Sequence, residues 1–207
     1  IARDEELVSL SEANKGFKRF LITESGISPR TFPGTEGGIF WMTGDEHDEL
    51  GHITEDPQIR SKMHAKRMKK LELIEKEVIC EKKIKVFGFE DAETLIISWG
   101  CTKGPILDAI EPLKQLGIKI KFLQIKMLFP FPKQEVRKIV NEAKKIIVVE
   151  NNYTSQLASL IKEHVLREPE HYLLKWTGRP ISRTEIICGV EKVLTEKISK
   201  LELKYGV

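Results

Sequence analysis

Thr94-Leu95-Ile96-Ile97-Ser98-Trp99-Gly100 is the stretch on which the reading of the fold turns. A short apolar run closed by a glycine reads as a strand buried within a sheet. Downstream of Gly100 the chain alternates helix and strand. Pro105 suits a first helical position, Ile106, Ala109, Ile110, Leu113 and Leu116 fall on one helical face, and Gly117 supplies the stop. Ile118 to Ile125 then reads as a second strand, and Pro130-Phe131-Pro132 breaks the chain. Val136, Ile139, Val140 and Ala143 mark a second helix, and the continuous apolar run Ile146-Ile147-Val148-Val149 a third strand buried on both faces. Leu157, Leu160, Ile161, His164 and Val165 outline a third helix, and Tyr172 to Trp176 a fourth strand. Ser182-Arg183-Thr184-Glu185 fits a capping box ahead of the apolar face Ile186, Ile187, Val190, Val193, Leu194 and Ile198. Parallel strands need crossovers, and right-handed crossovers place helices on both faces. The alternation therefore predicts an α/β fold, an open doubly wound and mostly parallel sheet.

Upstream the texture changes. Leu71 to Ala92 reads as a connection with one short strand, Ile84 to Phe87, whereas Phe17 to about Lys70 is rich in Gly, Pro and charge blocks. Phe17 to Ile22 and Ile39 to Met42 are expected to be strands. Asp56-Pro57 reads as a cap followed by proline at the first helical position. Ile59, Met63, Arg67, Leu71 and Ile74 then predict a long helix from Pro57 to Glu77. Ile1 to Lys15 is mostly polar and is expected to hold no functional residue.

Composition narrows the class. The 207 residues carry 34 Lys+Arg against 31 Asp+Glu, a net charge of +3, with 41% hydrophobic residues. That is too apolar for a disordered chain, and the length buries a substantial core. A charge of +3 gives no broad affinity for nucleic acid. No apolar run approaches the ~18 residues of a membrane span and no signal-peptide pattern opens the chain, so a soluble, cytoplasmic protein is expected. Cys80, Cys101 and Cys188 are odd in number, dispersed and without Cys-x-x-Cys spacing, which argues against disulfides, zinc and iron–sulfur ligation.

Three segments carry candidate chemistry. Thr43 to His52 sets Asp45, Glu46, Asp48 and Glu49 beside His47 and His52. Metal binding or acid–base work needs convergence, yet adjacent residues in extended chain point to opposite faces. Six acids (Asp45, Glu46, Asp48, Glu49, Glu55, Asp56) precede six bases (Arg60, Lys62, Lys66, Arg67, Lys69, Lys70). The expectation is a polar loop whose carboxylates cap helices or pair with those bases. The basic helix also lacks the interleaved aromatics of a single-strand binder. Gly100 to Pro105 is a strand-to-helix turn, and Cys101, Thr102, Lys103 and Gly104 make a weak anion candidate at a helix start. The turn matches neither G-x-G-x-x-G nor the P-loop, and Cys101 is read as a packing residue. Glu150 to Gln156 either recognises a ligand at a strand end or supplies turns and caps.

The ordered motifs are Ile27-Ser28-Pro29-Arg30, Pro33-Gly34-Thr35, Gly37-Gly38, Thr43 to Glu49, Glu55-Asp56-Pro57 and Lys66 to Leu71. Further along stand Trp99-Gly100-Cys101-Thr102, Phe129-Pro130-Phe131-Pro132 and Val149-Glu150-Asn151-Asn152. From Phe17 to the last helix the series resembles the C-terminal part of the alpha subunit of 2-oxoacid:ferredoxin oxidoreductases, nearest the archaeal 2-oxoglutarate and broad-range 2-oxoacid types. The resemblance implies oxidative decarboxylation of a 2-oxoacid, such as 2-oxoglutarate or pyruvate, to an acyl-CoA with reduction of ferredoxin. It implies thiamine diphosphate, Mg2+ and a [4Fe-4S] cluster in the full complex, with none bound by this chain alone. The family's Tyr-Pro-Ile-Thr-Pro substrate motif and its Gly-Asp-Gly…Asn-Asn diphosphate signature are absent from this sequence, and no catalytic residue is expected here. In these terms residues 1–56 are the tail of a pyrimidine-type catalytic domain and an interface segment. Residues 57–92 are a linker helix and connection, and 93–207 a transketolase C-terminal-like domain. Arg30, Thr35, Asp45, Glu46, His47, Asp48 and Glu49 become candidates for the contact with a thiamine- and cluster-binding beta subunit; coenzyme A and ferredoxin are partners of the complex. The alternative is a free-standing α/β module that binds a small anion or nucleotide at the Gly100 to Pro105 turn.

Overall fold

A computed structural model describes residues 16–204; Ile1 to Lys15 and the last three residues lie outside the described residues. The chain forms two compact units, one ending at Glu77 and the other starting at Val78.

In the first unit, helix α1 (Pro57–Glu77) is the one regular helix among the described residues. The Asp56 carboxylate accepts from Gln58 N at 2.7 Å and Ile59 N at 3.3 Å, as the Asp-Pro pair predicts. The two expected strands do not form. Phe17 and Phe20 both set their rings edge-on to Phe40, with centroids 6.2 Å apart in each case. A strand would send side chains three residues apart to opposite faces, so this aromatic cluster requires a turn instead. The Leu21 N–H accordingly reaches back to the Lys18 carbonyl at 3.2 Å.

In the second unit, a one-turn helix (Cys80–Lys83) leads into β1 (Ile84–Gly88). Then come β2 (Thr94–Trp99), α2 (Lys103–Gln115), β3 (Ile120–Ile125), α3 (Lys133–Glu142), β4 (Lys145–Glu150), α4 (Gln156–Val165), β5 (His171–Leu174), α5 (Arg183–Thr195) and β6 (Lys200–Glu202). The sheet order is β1-β3-β2-β4-β5-β6; β1 runs antiparallel to β3 and every other pair is parallel. Alternation along β2 divides the core. Leu95 and Ile97 join the α3 and α4 residues Val136, Val140, Leu157 and Ile161 on one face. Ile96 joins Ile106, Leu113, Ile186 and Val190 of α2 and α5 on the other.

Three boundaries differ from the pattern for identifiable reasons. Ile118 is not in β3, because its N–H bonds Leu113 O at 2.9 Å while Gly117 N bonds Lys114 O at 2.9 Å, the paired bonds of a Schellman stop. Helix α2 starts at Lys103, ahead of Pro105, because Gly100–Thr102 forms a 3-10 turn running straight into it. The last helix stops at Thr195, short of Ile198, since Lys197 takes a left-handed φ of 57°. The edge strand β6 beyond it is too short to announce itself in the sequence.

Candidate functional site

In the second unit, β2 connects through α2 to β3 on one side, and β3 then crosses to β4 on the other side of β2. The order therefore reverses between β2 and β4, and the crevice outside their carboxyl ends is where open α/β sheets gather ligands. Here Ser98 to Thr102 faces Glu150 to Asn152.

Ser98, fully buried, places its Oγ 2.5 Å from the Val149 carbonyl and 2.5 Å from Thr102 Oγ1. Thr102 Oγ1 also donates to the Trp99 carbonyl at 2.9 Å, so this hydroxyl is turned inward. Glu150 is 1% exposed. Its carboxylate accepts from Leu157 N (3.0 and 3.1 Å), Ser155 Oγ (2.9 Å), Asn152 Nδ2 (2.9 Å) and Trp99 Nε1 (3.2 Å). Ser155, at the N-cap position of α4, makes no side-chain cap bond. Glu150 takes that role from the end of the preceding strand, placing an acid where the helix dipole favours one. The Glu150 to Gln156 segment thus supplies cap chemistry.

Cys101 is exposed, not packed, and its Sγ lies 3.3 Å from Asn151 Nδ2. Lys103 sets its Nζ 5.6 Å over the Phe87 ring. Of the weak anion candidates, Cys101 and Gly104 are exposed, Lys103 is half-buried and Thr102 is buried. The three cysteines sit on the one-turn helix, the 3-10 turn and α5, and no group of three or more His, Cys, Asp or Glu converges among the described residues. Those residues do not fit an iron–sulfur cluster.

In the first unit the acidic motif is tied to helix α1, to the segment at residues 18–22 and to its own loop. Glu46 meets Arg60 at 2.6 Å and Arg67 at 2.5 Å, and the Arg67 hydrogen bond leads in lowering its pKa to about 2. The His47 ring lies tilted by 40° against Phe20 with centroids 4.0 Å apart, and its Nδ1 lies 2.9 Å from the Asp48 carbonyl. Burial pushes the Asp48 carboxyl up, but the His52, Leu50 and Gly51 N–H groups outweigh it and hold the group below its usual range. The Ile22 N–H (2.8 Å) and then Lys18 (2.9 Å) hold Glu49 low in the same way. Thr35 lies in successive turns, bonding Phe32 O and accepting from Gly38 N. Asp45 is exposed and Arg30 half-buried.

Sequence reasoning missed what lies outward. Phe32 (66% exposed), Ile39 (92%), Trp41 (65%), Met42 (74%) and Ile53 (60%) present apolar surface to solvent. The four consecutive apolar residues at 39 to 42 read as a strand in the sequence; among the described residues they join no strand, and Phe40 alone of the four turns inward, onto Phe17 and Phe20.

A sheet of this order, with its switch point closed by its own cap, defines an open, mostly parallel α/β domain, and residues 92–186 match the family model described as pyruvate:ferredoxin oxidoreductase core domain II. The 2-oxoacid:ferredoxin oxidoreductase subunit alpha of Saccharolobus solfataricus is 45% identical over 189 residues, 91% of this chain and 30% of that protein. Subunit alpha of the Aeropyrum pernix 2-oxoacid:ferredoxin oxidoreductase 1 is 38% identical over 92% of this chain and 30% of its own. A solved structure of the Magnetococcus marinus 2-oxoglutarate:ferredoxin oxidoreductase, with 2-oxoglutarate, coenzyme A and succinyl-CoA bound, superposes with a TM-score of 0.65 at 32% identity, covering 85% of this chain and 30% of that one. The chain belongs to the 2-oxoacid:ferredoxin oxidoreductase alpha-subunit family and corresponds to part of such a subunit; it spans about 30% of the length of these relatives.

Proposed function

We propose that this chain is an assembly portion of an enzyme that oxidatively decarboxylates a 2-oxoacid to an acyl-CoA and passes the electrons to ferredoxin. Segment 27–56 docks against the thiamine- and cluster-binding beta subunit, the α/β unit packs the heteromer, and the chemistry belongs to residues outside this chain. Thiamine diphosphate, Mg2+ and the iron–sulfur cluster are accordingly held elsewhere in a cytoplasmic complex. The observation that carries the reading is the exposure of Phe32, Ile39, Trp41, Met42 and Ile53 on a segment in which Glu46, Asp48 and Glu49 are tied inward. Apolar surface rimmed by polar residues marks a protein contact, and tryptophan is a common anchor at its centre.

The test is Trp41→Ser with Ile39→Ser in the assembled enzyme, measured by size exclusion and turnover. Retained thermal stability of the chain with at least a tenfold loss of beta-subunit association is expected. Unchanged association removes the proposal, as does turnover by the isolated chain with thiamine diphosphate added.

A further inference from the structure

Beside the acidic loop of the first unit lies a second feature. A cavity of about 330 Å³ opens between the loop of residues 19–30 and helix α1. Arg19, Arg30, Lys66, Arg67 and Lys70 line it together with His47, and no carboxylate does so among the described residues. We propose that this cavity binds a phosphate-bearing anion of about pyrophosphate size.

The loop reaches the helix through Gly26. At its φ of 76°, an added Cβ would stand 2.6 Å from Lys66 O and 2.8 Å from Lys70 N, so only glycine lets the backbone lie this close. The contact draws the loop arginines and the helix lysines onto one space. Lys66 is held at the base by donation from Nζ to the Phe20 carbonyl at 2.7 Å, which leaves two of its three N–H donors to serve a ligand. Lys70 stands exposed one turn further along the helix. Arg67 is already tied to Glu46, so the lysines are the groups best able to answer an incoming anion. Burial, followed by repulsion from Lys70 and Arg19, lowers the Lys66 pKa to about 8. A multiply charged anion relieves that repulsion. The volume stands at the low end of the ~300–1,000 Å³ typical of ligand pockets, which favours a compact anion over a whole nucleotide.

The experiment is calorimetric titration of the 207-residue chain at low salt with inorganic pyrophosphate, orthophosphate and succinate. Succinate separates a phosphate ligand from a dicarboxylate. Saturable pyrophosphate binding at least tenfold tighter than succinate is expected. Lys70→Ala, which removes an exposed side chain and leaves the fold intact, is expected to weaken it by about tenfold, as is Lys66→Met. Lys69→Ala, on the same helix but outside the cavity, leaves it unchanged. Absence of saturable binding overturns the assignment. So does succinate as tight as pyrophosphate, equal affinity in the Lys70→Ala protein, or an equal loss in the Lys69→Ala protein. None of these outcomes bears on beta-subunit association, so the two proposals fail separately.

Discussion

Replacing Glu150 tests the reasoning about the switch point most directly. Glu150→Ala removes the acceptor shared by Leu157 N, Ser155 Oγ, Asn152 Nδ2 and Trp99 Nε1. These donors are unequal. Trp99 is 39% exposed and finds water again, whereas Leu157 at 1% and Ser155 at 5% do not. Each buried donor left without its charged acceptor costs about 1.5–2 kcal/mol. Loss of an acid at a helix N-terminus adds ~0.5 kcal/mol. The sum is about 4 kcal/mol, or a drop of ~2 M in urea midpoint for an m-value near ~2 kcal/mol/M. Glu150→Gln keeps one oxygen for Leu157 N and is expected to cost about 1–2 kcal/mol. Urea titration followed by circular dichroism measures both. If Glu150→Ala costs under ~1 kcal/mol, or Glu150→Gln is as damaging as alanine, the carboxylate is not the cap of α4.

Further outcomes are open to measurement. Lys175 and Glu185 are 2% and 3% exposed and meet at 2.7 Å, so Lys175→Met strands a buried carboxylate and is expected to destabilise by about 3–5 kcal/mol in a thermal or urea melt. Changing both partners to apolar residues of similar volume should restore most of that loss. Acid titration of the first unit reads Glu46. Its folded pKa of about 2 lies below its unfolded 4.5, so its contribution is complete above pH 4.5 and is lost as pH falls towards 2. The Glu46→Gln protein should show a flatter decline across that window. Gly51→Ala is expected to disrupt the loop outright, because at φ 94° its Cβ would stand 2.1 Å from the Trp41 carbonyl oxygen; proteolysis between residues 41 and 51 would report it.

Much of the second unit was legible because its signals are local. Gly117 ends α2 by bonds reaching back three and five residues. In the Ser182–Glu185 box both reciprocal bonds form, at 3.2 and 2.8 Å. The continuous apolar run of β4 is buried as its pattern requires. The first unit was less legible, because Phe17, Phe20 and Phe40 pack around one another at a spacing that belongs to no regular element. Cys101 failed for a similar reason: whether a residue in a turn faces core or solvent depends on what lies opposite, here Asn151.

By itself the sequence determined the alternation of strand and helix, the main stops and caps, and the run of motifs that marks the family, since each rests on neighbours a few residues apart. Tertiary structure alone decided the strand order that sets β2 beside β4. It also decided the use of Glu150 as a cap for α4, the partner of Glu185, the exposure of Ile39, Trp41 and Met42 and the meeting of loop arginines with helix lysines around one cavity. Those outcomes depend on which distant surfaces close on each other, and a one-dimensional pattern records the tendency to be buried without recording against what.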